Sequence, residues 1–156
     1  SAVSLISEFE NLVVVRTMSK AFALAGARVG YLIGNPKVVD VALITRLPYH
    51  LSAQTQAVAR IALENHELLQ KEVDLLISER IRVVTELTKM GFEVIPSSAN
   101  FLLLTGFKGS STEVWNSLLD KKVLIRDVGI PNYLRTTIGT PEENNQFLAA
   151  ISTHRP

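Results

Sequence analysis

The chain has no cysteine, which excludes disulfides and thiolate metal centres and fits a reducing, cytoplasmic setting. Its three histidines, His50, His66 and His154, are too scattered to form a ligand motif, so no metal is expected. His66 reads as a helix-end residue and His154 as part of the terminal tail, both solvated. An excess of charge of either sign is also missing: the net charge is +1, which gives no electrostatic case for nucleic acid or a membrane surface. No apolar run approaches the roughly 20 residues of a bilayer-spanning helix. The opening Ser1-Ala2-Val3-Ser4 lacks the basic region of a signal peptide. The eight glycines form neither G-x-G-x-x-G nor a Walker loop. There is no internal repeat and no low-complexity segment.

What remains is a hydrophobic fraction of 47% in 156 residues, enough for one ordinary domain or two small lobes with a real core. The most informative stretch runs from Arg16 to Tyr31. Leu12-Val13-Val14-Val15 before it is a β-branched run of the kind found in strands buried on both faces. Lys20 then sits just past a strand end, where ligands collect in open α/β sheets. Ala21, Phe22, Ala23 and Ala25 around it predict a poorly solvated lysine, whose free amine could attack a carbonyl. Thr17 and Ser19 precede the lysine and Arg28 follows it; two hydroxyls and a guanidinium can fix one phosphate by charge-assisted hydrogen bonds. An amine nucleophile beside a phosphate clamp is what pyridoxal phosphate requires. Arg16 reads as a surface residue at a strand end.

The rest of the chain predicts alternating short elements. Residues 1–10 carry a weak helical stripe. Val29 to Ile33 is a second strand, and Asn35 with Pro36 starts a helix as N-cap and first-turn proline. Leu47-Pro48-Tyr49-His50 breaks it, and Ser52 caps the next helix, which reaches Glu64 or Asn65. From Glu67 to Met90, apolar residues recur at three- and four-residue spacing, a long amphipathic helix ended by Gly91 and read as a connector between two lobes. Beyond it come strands at 92–95, 101–104, 123–125 and 134–138. Ser110 to Glu113 and Thr140 to Glu143 read as capping boxes opening two further helices. Trp115 reads as a core anchor, and Tyr31 and Tyr49 as packing residues.

Arg126 and Arg135 stand out in this second lobe because each follows or interrupts an apolar strand. They either keep edge strands soluble or, from adjacent strands, grip one anion in two-pronged fashion. Asn100 either lies near such a site or caps a strand turn.

Thr17-Met18-Ser19-Lys20-Ala21-Phe22, Leu24-Ala25-Gly26 and Arg28-Val29-Gly30-Tyr31 together resemble the cofactor-lysine segment of fold-type-I pyridoxal-phosphate aminotransferases, the histidinol-phosphate aminotransferase family most closely. The resemblance continues through Ser98-Ala99-Asn100-Phe101, Val123 to Asp127 and Leu134 to Thr140, so it spans nearly the whole chain. It covers only the C-terminal part of that longer family. It implies an α/β fold: residues 1–66 as the last portion of the large cofactor domain, and 67–156 as a connecting helix and small α+β domain. It implies Lys20 as the catalytic lysine that holds pyridoxal 5'-phosphate, with Thr17, Ser19 and Arg28 on the phosphate. Arg135 would bind the substrate carboxylate or phosphate, Arg126 would assist with the phosphate, and Asn100 is a weaker substrate contact. The implied reaction passes an amino group between histidinol phosphate and 2-oxoglutarate in histidine biosynthesis, in a cytoplasmic homodimer. None of Asp40, Asp74, Asp120 or Asp127 matches the family's aspartate against the cofactor's pyridine nitrogen, so the chain by itself is expected to be inactive. Two alternatives stay open: a threonine-phosphate decarboxylase, which shares much of the pattern, or a non-catalytic scaffold or dimerisation fragment.

Overall fold

β1 (Val13–Thr17) and β2 (Gly30–Gly34) pair antiparallel as a two-stranded ribbon, from Val13 opposite Gly34 to Thr17 opposite Gly30. They belong to a computed structural model that describes residues 1–156. The strand pair is where the valine run and the second apolar run were expected, but the expected burial on both faces is absent. Val13 and Val14 are half-buried and Val15 is 73% exposed, in a sheet of two strands with no third strand beside it. Gly30 is required at its position: a Cβ there would collide with the main-chain carbonyl of Arg16 on the facing strand.

The polar punctuation behaves as the physics of helix ends demands. Asn35 caps α1 (Pro36–Thr45) by accepting from the Lys37 amide at 3.1 Å, with Pro36 in the first turn. Ser52 caps α2 (Ala53–Glu64) by accepting from the Thr55 amide at 3.1 Å. The stripe over residues 1–10 makes only a short 3-10 turn, Ala2–Leu5, because its apolar side chains find no core and Phe9 stays 53% exposed. Tyr49 is not a packing residue: it is 99% exposed and holds a left-handed backbone with φ 53°. Tyr31 is exposed as well, at 43%.

The chain divides into two compact units, Ser1–Lys71 and Glu72–Pro156, with the division inside α3 (His66–Lys89). In the first unit the buried apolar residues are Met18 and Val29. The second has a true core. At the end of α3, Gly91 takes φ 94°, its amide bonds the Thr88 carbonyl at 3.0 Å, and the Phe92 amide bonds that of Leu87 at 3.1 Å. This is the paired closure that a left-handed glycine makes possible, with Leu87 and Phe92 joined in the core behind it.

After that turn the chain builds β3 (Glu93–Val94), β4 (Phe101–Thr105), α4 (Ser111–Asp120), β5 (Arg126–Asp127), β6 (Leu134–Thr137) and α5 (Pro141–Ile151). The sheet order is β3-β4-β6-β5, antiparallel throughout. Both capping boxes form, Ser110 with Glu113 and Thr140 with Glu143. Leu102, Leu104 and Leu134 point to one face and are fully buried against Val83 and Leu87 of α3, Val114 and Leu118 of α4, and Phe147 and Ile151 of α5. Each such side chain contributes about 1.5–3 kcal/mol. Alternation sends Phe101, Arg135 and Thr137 to the other face.

The strand expected at 123–125 lies further on, at Arg126–Asp127. The Val123 amide is used in closing α4, donating to the Leu118 carbonyl at 2.9 Å, and the Ile125 carbonyl accepts from the Trp115 indole Nε1 at 3.0 Å. His154 is not a solvated tail residue either. It sits half-buried in a closing 3-10 turn, with Nε2 2.8 Å from Ser117 Oγ.

Candidate active site

Thr17, Ser19, Lys20 and Arg28 all lie in or beside the loop joining β1 to β2, and the loop is ordered by its own main chain. The Met18 amide bonds the Val29 carbonyl at 3.1 Å, the Leu24 amide the Met18 carbonyl at 3.1 Å, and the Ala23 amide the Lys20 carbonyl at 2.9 Å. Met18, 2% exposed, anchors the loop from beneath. The Ser19 amide donates to Thr17 Oγ1 at 3.0 Å, and the Thr17 hydroxyl donates to Ser19 Oγ at 2.8 Å. That chain of donation leaves the Ser19 proton available to an outside acceptor. Arg28 donates once, to the Ala25 carbonyl at 2.9 Å, which leaves most of its guanidinium N–H groups for another partner. Its backbone is left-handed, φ 52°, and that of Ala23 is too, φ 54°. Such conformations cost on the order of 1–3 kcal/mol each and cluster at ligand clamps.

Lys20 departs from the expectation of poor solvation. It is exposed, as are Ala21, Ala23 and Ala25, because small side chains on an uncovered loop cannot enclose an amine. The donor set still suits a phosphate-bearing aldehyde. Residues 17–30 hold one primary amine, two hydroxyls and a guanidinium, and no carboxylate that would repel a phosphate.

In the second unit, Arg126 and Arg135 are register partners on β5 and β6 and therefore share the sheet face opposite the core. Where β5 stops short, Leu124, Ile125, Arg126, Arg135 and Thr137 line a shallow cleft of about 280 Å³. The Arg135 guanidinium lies 5.1 Å from the centre of the Phe101 ring, a cation–π stack. Its Nε is buried and has no hydrogen-bond partner, a costly state for a charged donor unless a ligand completes it. Asn100, half-buried, accepts from the Ile138 amide at 2.9 Å through its main-chain oxygen and so closes the same end of the sheet.

Phe101 was missed as a partner of Arg135. The register Phe101 opposite Thr137, two residues from Arg135, could have suggested it had the strand pairing been known. No group of acidic, histidine or cysteine side chains could hold a metal ion. No helix is long and apolar enough to cross a membrane.

Known proteins resemble this chain in sequence and fold. The histidinol-phosphate aminotransferase of Mycolicibacterium vanbaalenii is 57% identical over 151 residues, 96% of this chain and 40% of that protein. The chain thus spans about 40% of the length of such curated relatives. Among solved structures, histidinol-phosphate aminotransferase from Clostridium acetobutylicum superposes with a TM-score of 0.83 at 28% identity, covering 98% of this chain and 48% of that one. L-threonine-O-3-phosphate decarboxylase from Porphyromonas gingivalis gives 0.82 at 27%, covering 97% and 49%. The histidinol-phosphate aminotransferase of Sinorhizobium meliloti, solved in complex with pyridoxal-5'-phosphate, shares the fold at 0.76 and 23%, covering 97% and 43%. The fold is thus that of about half a fold-type-I, pyridoxal-phosphate-using aminotransferase. Matched over residues 1–151 by the family model for aminotransferase class I and II, the chain belongs to that family.

Proposed function

We propose that this chain is the catalytic-lysine segment and small domain of a histidinol-phosphate aminotransferase, which exchanges an amino group between histidinol phosphate and 2-oxoglutarate. The observation that carries the reading is 57% identity to such an enzyme across 96% of the chain. Residues 1–66 would close the large cofactor domain, and 67–156 would form the connecting helix and small domain, in a cytoplasmic homodimer. When bound, pyridoxal phosphate supplies the electron sink that makes the substrate α-proton removable. Lys20 Nζ would hold the cofactor covalently and, once freed, carry that proton as base and then acid. Thr17, Ser19 and Arg28 would hold the phosphate; the open Ser19 hydroxyl and the largely unspent Arg28 guanidinium suit that role. Arg135, Arg126 and Asn100 would orient the substrate, and the unpartnered Arg135 Nε is the donor an anion would satisfy.

The test joins this chain to the N-terminal segment of the M. vanbaalenii relative in place of that enzyme's own C-terminal part. Cofactor loading and glutamate-dependent amination of imidazole acetol phosphate are expected. A fusion that loads the cofactor but releases carbon dioxide from threonine phosphate would favour the decarboxylase reading, to which the P. gingivalis likeness lends some weight. A folded fusion that binds no cofactor would leave only the scaffold reading.

A further inference from the structure

Away from the candidate site, the most fully built polar feature is a buried network between α3 and the turn after β6. Glu79 and Asn144 are 7% and 3% exposed. Asn144 holds Gly139 by both main-chain groups: the Gly139 amide donates to Asn144 Oδ1 at 3.0 Å, and Asn144 Nδ2 donates to the Gly139 carbonyl at 3.0 Å. The second Nδ2 proton goes to Glu79 Oε2 at 2.8 Å. Arg82 completes the carboxylate, Nε to Oε1 at 2.9 Å and a second nitrogen to Oε2 at 2.6 Å. One residue along α3, Arg80 donates to the Ala99 carbonyl at 2.9 Å.

These bonds converge on one end of the sheet. Gly139 lies four residues after Arg135, and Ala99 two residues before Phe101, the ring that stacks on Arg135. The Ile138 amide and Asn100 carbonyl tie the two crossings together between the grips. Leu102, Leu104, Leu134 and Ile138 already bury the core face of this sheet, and a buried charged network adds little stability over apolar packing. What a fully satisfied network adds is a single backbone position.

We infer that Glu79 and Asn144 are positioning residues, a clasp that fixes the end of β6 so that Arg135 and Phe101 present one geometry to a substrate anion. The clasp is a property of this chain; its use in turnover rests on the aminotransferase reading. Asn144 acts directly on the Gly139 backbone, and Glu79 acts through Asn144.

Two measurements separate these levels. In the full chain, Asn144→Ala should speed amide hydrogen exchange at Arg135 to Ile138 by tenfold or more, while amides at Val114 to Leu118 in α4 change little. In the fusion described above, the same substitution should raise KM for 2-oxoglutarate about tenfold, with kcat within twofold and cofactor affinity unchanged. Glu79→Gln, which retains an oxygen acceptor for Asn144, should raise KM two- to threefold. If Asn144→Ala fails to fold, Glu79→Gln carries the test alone, and an unchanged KM overturns the inference. Unchanged exchange in Asn144→Ala would mean there is no clasp. Faster exchange with an unchanged KM would make the network structural only. A fusion without any turnover would overturn the aminotransferase reading and the catalytic use of the clasp together, while exchange would still decide whether the clasp holds Arg135.

Discussion

Arg126 and Arg135 stand directly opposite each other on antiparallel strands. Like charges in that relation are destabilising, and the Phe101 ring beneath Arg135 offsets the cost only on one side. Neither arginine is ion-paired with a carboxylate. The pair is a site with a positive field and no internal counter-ion.

Removing one member should therefore stabilise the chain while damaging the site. Arg126→Thr is expected to gain about 0.2–1 kcal/mol, the usual size of a cross-strand pair effect. Urea denaturation at low salt reads this. The gain should shrink as salt screens the repulsion, and a loss of stability would mean the two charges are not opposed in solution.

Geometry matters at Arg135 more than charge. Arg135→Lys keeps the charge but loses the planar fork and the flat stack on Phe101. In the fusion, KM should rise about tenfold to a hundredfold for both glutamate and the phosphorylated substrate, matching about 1.5–3 kcal/mol for bonds to a charged group. Arg126→Ala should hurt mainly the phosphorylated one. Equal losses for both substrates in Arg126→Ala would remove the phosphate preference from that residue.

Covalent attachment offers a direct check on Lys20. Borohydride reduction of the cofactor-loaded fusion, followed by peptide mass analysis, should place the modification on Lys20, and Lys20→Ala should abolish both label and turnover. Label on Lys37 or Lys89 instead would refute the assignment.

Two glycines of the same segment should respond in opposite ways. A Cβ at Gly30 would strike the Arg16 carbonyl, whereas one at Gly26 meets nothing within 4 Å. Gly30→Ala should cost about 1–3 kcal/mol, as overpacking does, and weaken cofactor binding through the distorted hairpin. Gly26→Ala should be close to neutral by thermal denaturation.

Acid should loosen the second unit through Glu79. Hydrogen bonds from Arg82 and then Asn144 hold its carboxyl below the usual range. The unfolded chain therefore binds its proton first as pH falls, and stability rises with pH in that window. The contribution is complete above the ordinary glutamate range, near pH 4.5. It declines as pH drops through that value toward the folded one. Thermal midpoints of the wild-type chain and Glu79→Gln should differ near neutrality and converge as the pH falls below the ordinary glutamate range and through the lowered folded value.

Local signals were legible in the sequence, and long-range ones were not. Asn35, Ser52, Ser110, Thr140 and Gly91 each act within a few residues, and each sits at a helix end as read. Within the strand read at 134–138, Leu134, Thr136 and Ile138 are buried while Arg135 and Thr137 are not, the two-residue period of a strand. In the Val123–Ile125 stretch the first amide bonds back to the end of α4 and the last carbonyl accepts from a tryptophan ten residues earlier, so the strand begins only at Arg126. Glu79 and Asn144 are 65 residues apart, and on their helices they look like ordinary solvated polar residues. The valine run promised burial, but β-branched composition states only what a strand can bury, and this sheet has just two strands.

That two-stranded ribbon has a consequence for the isolated chain in solution. A sheet of two strands has an open hydrogen-bonding edge on each, and here one edge belongs to a run of three consecutive valines. Uncharged β-branched segments with a free edge recruit identical segments by continuing the ladder. Self-association of this kind depends on how many chains meet, so light scattering from the isolated chain is expected to rise with protein concentration.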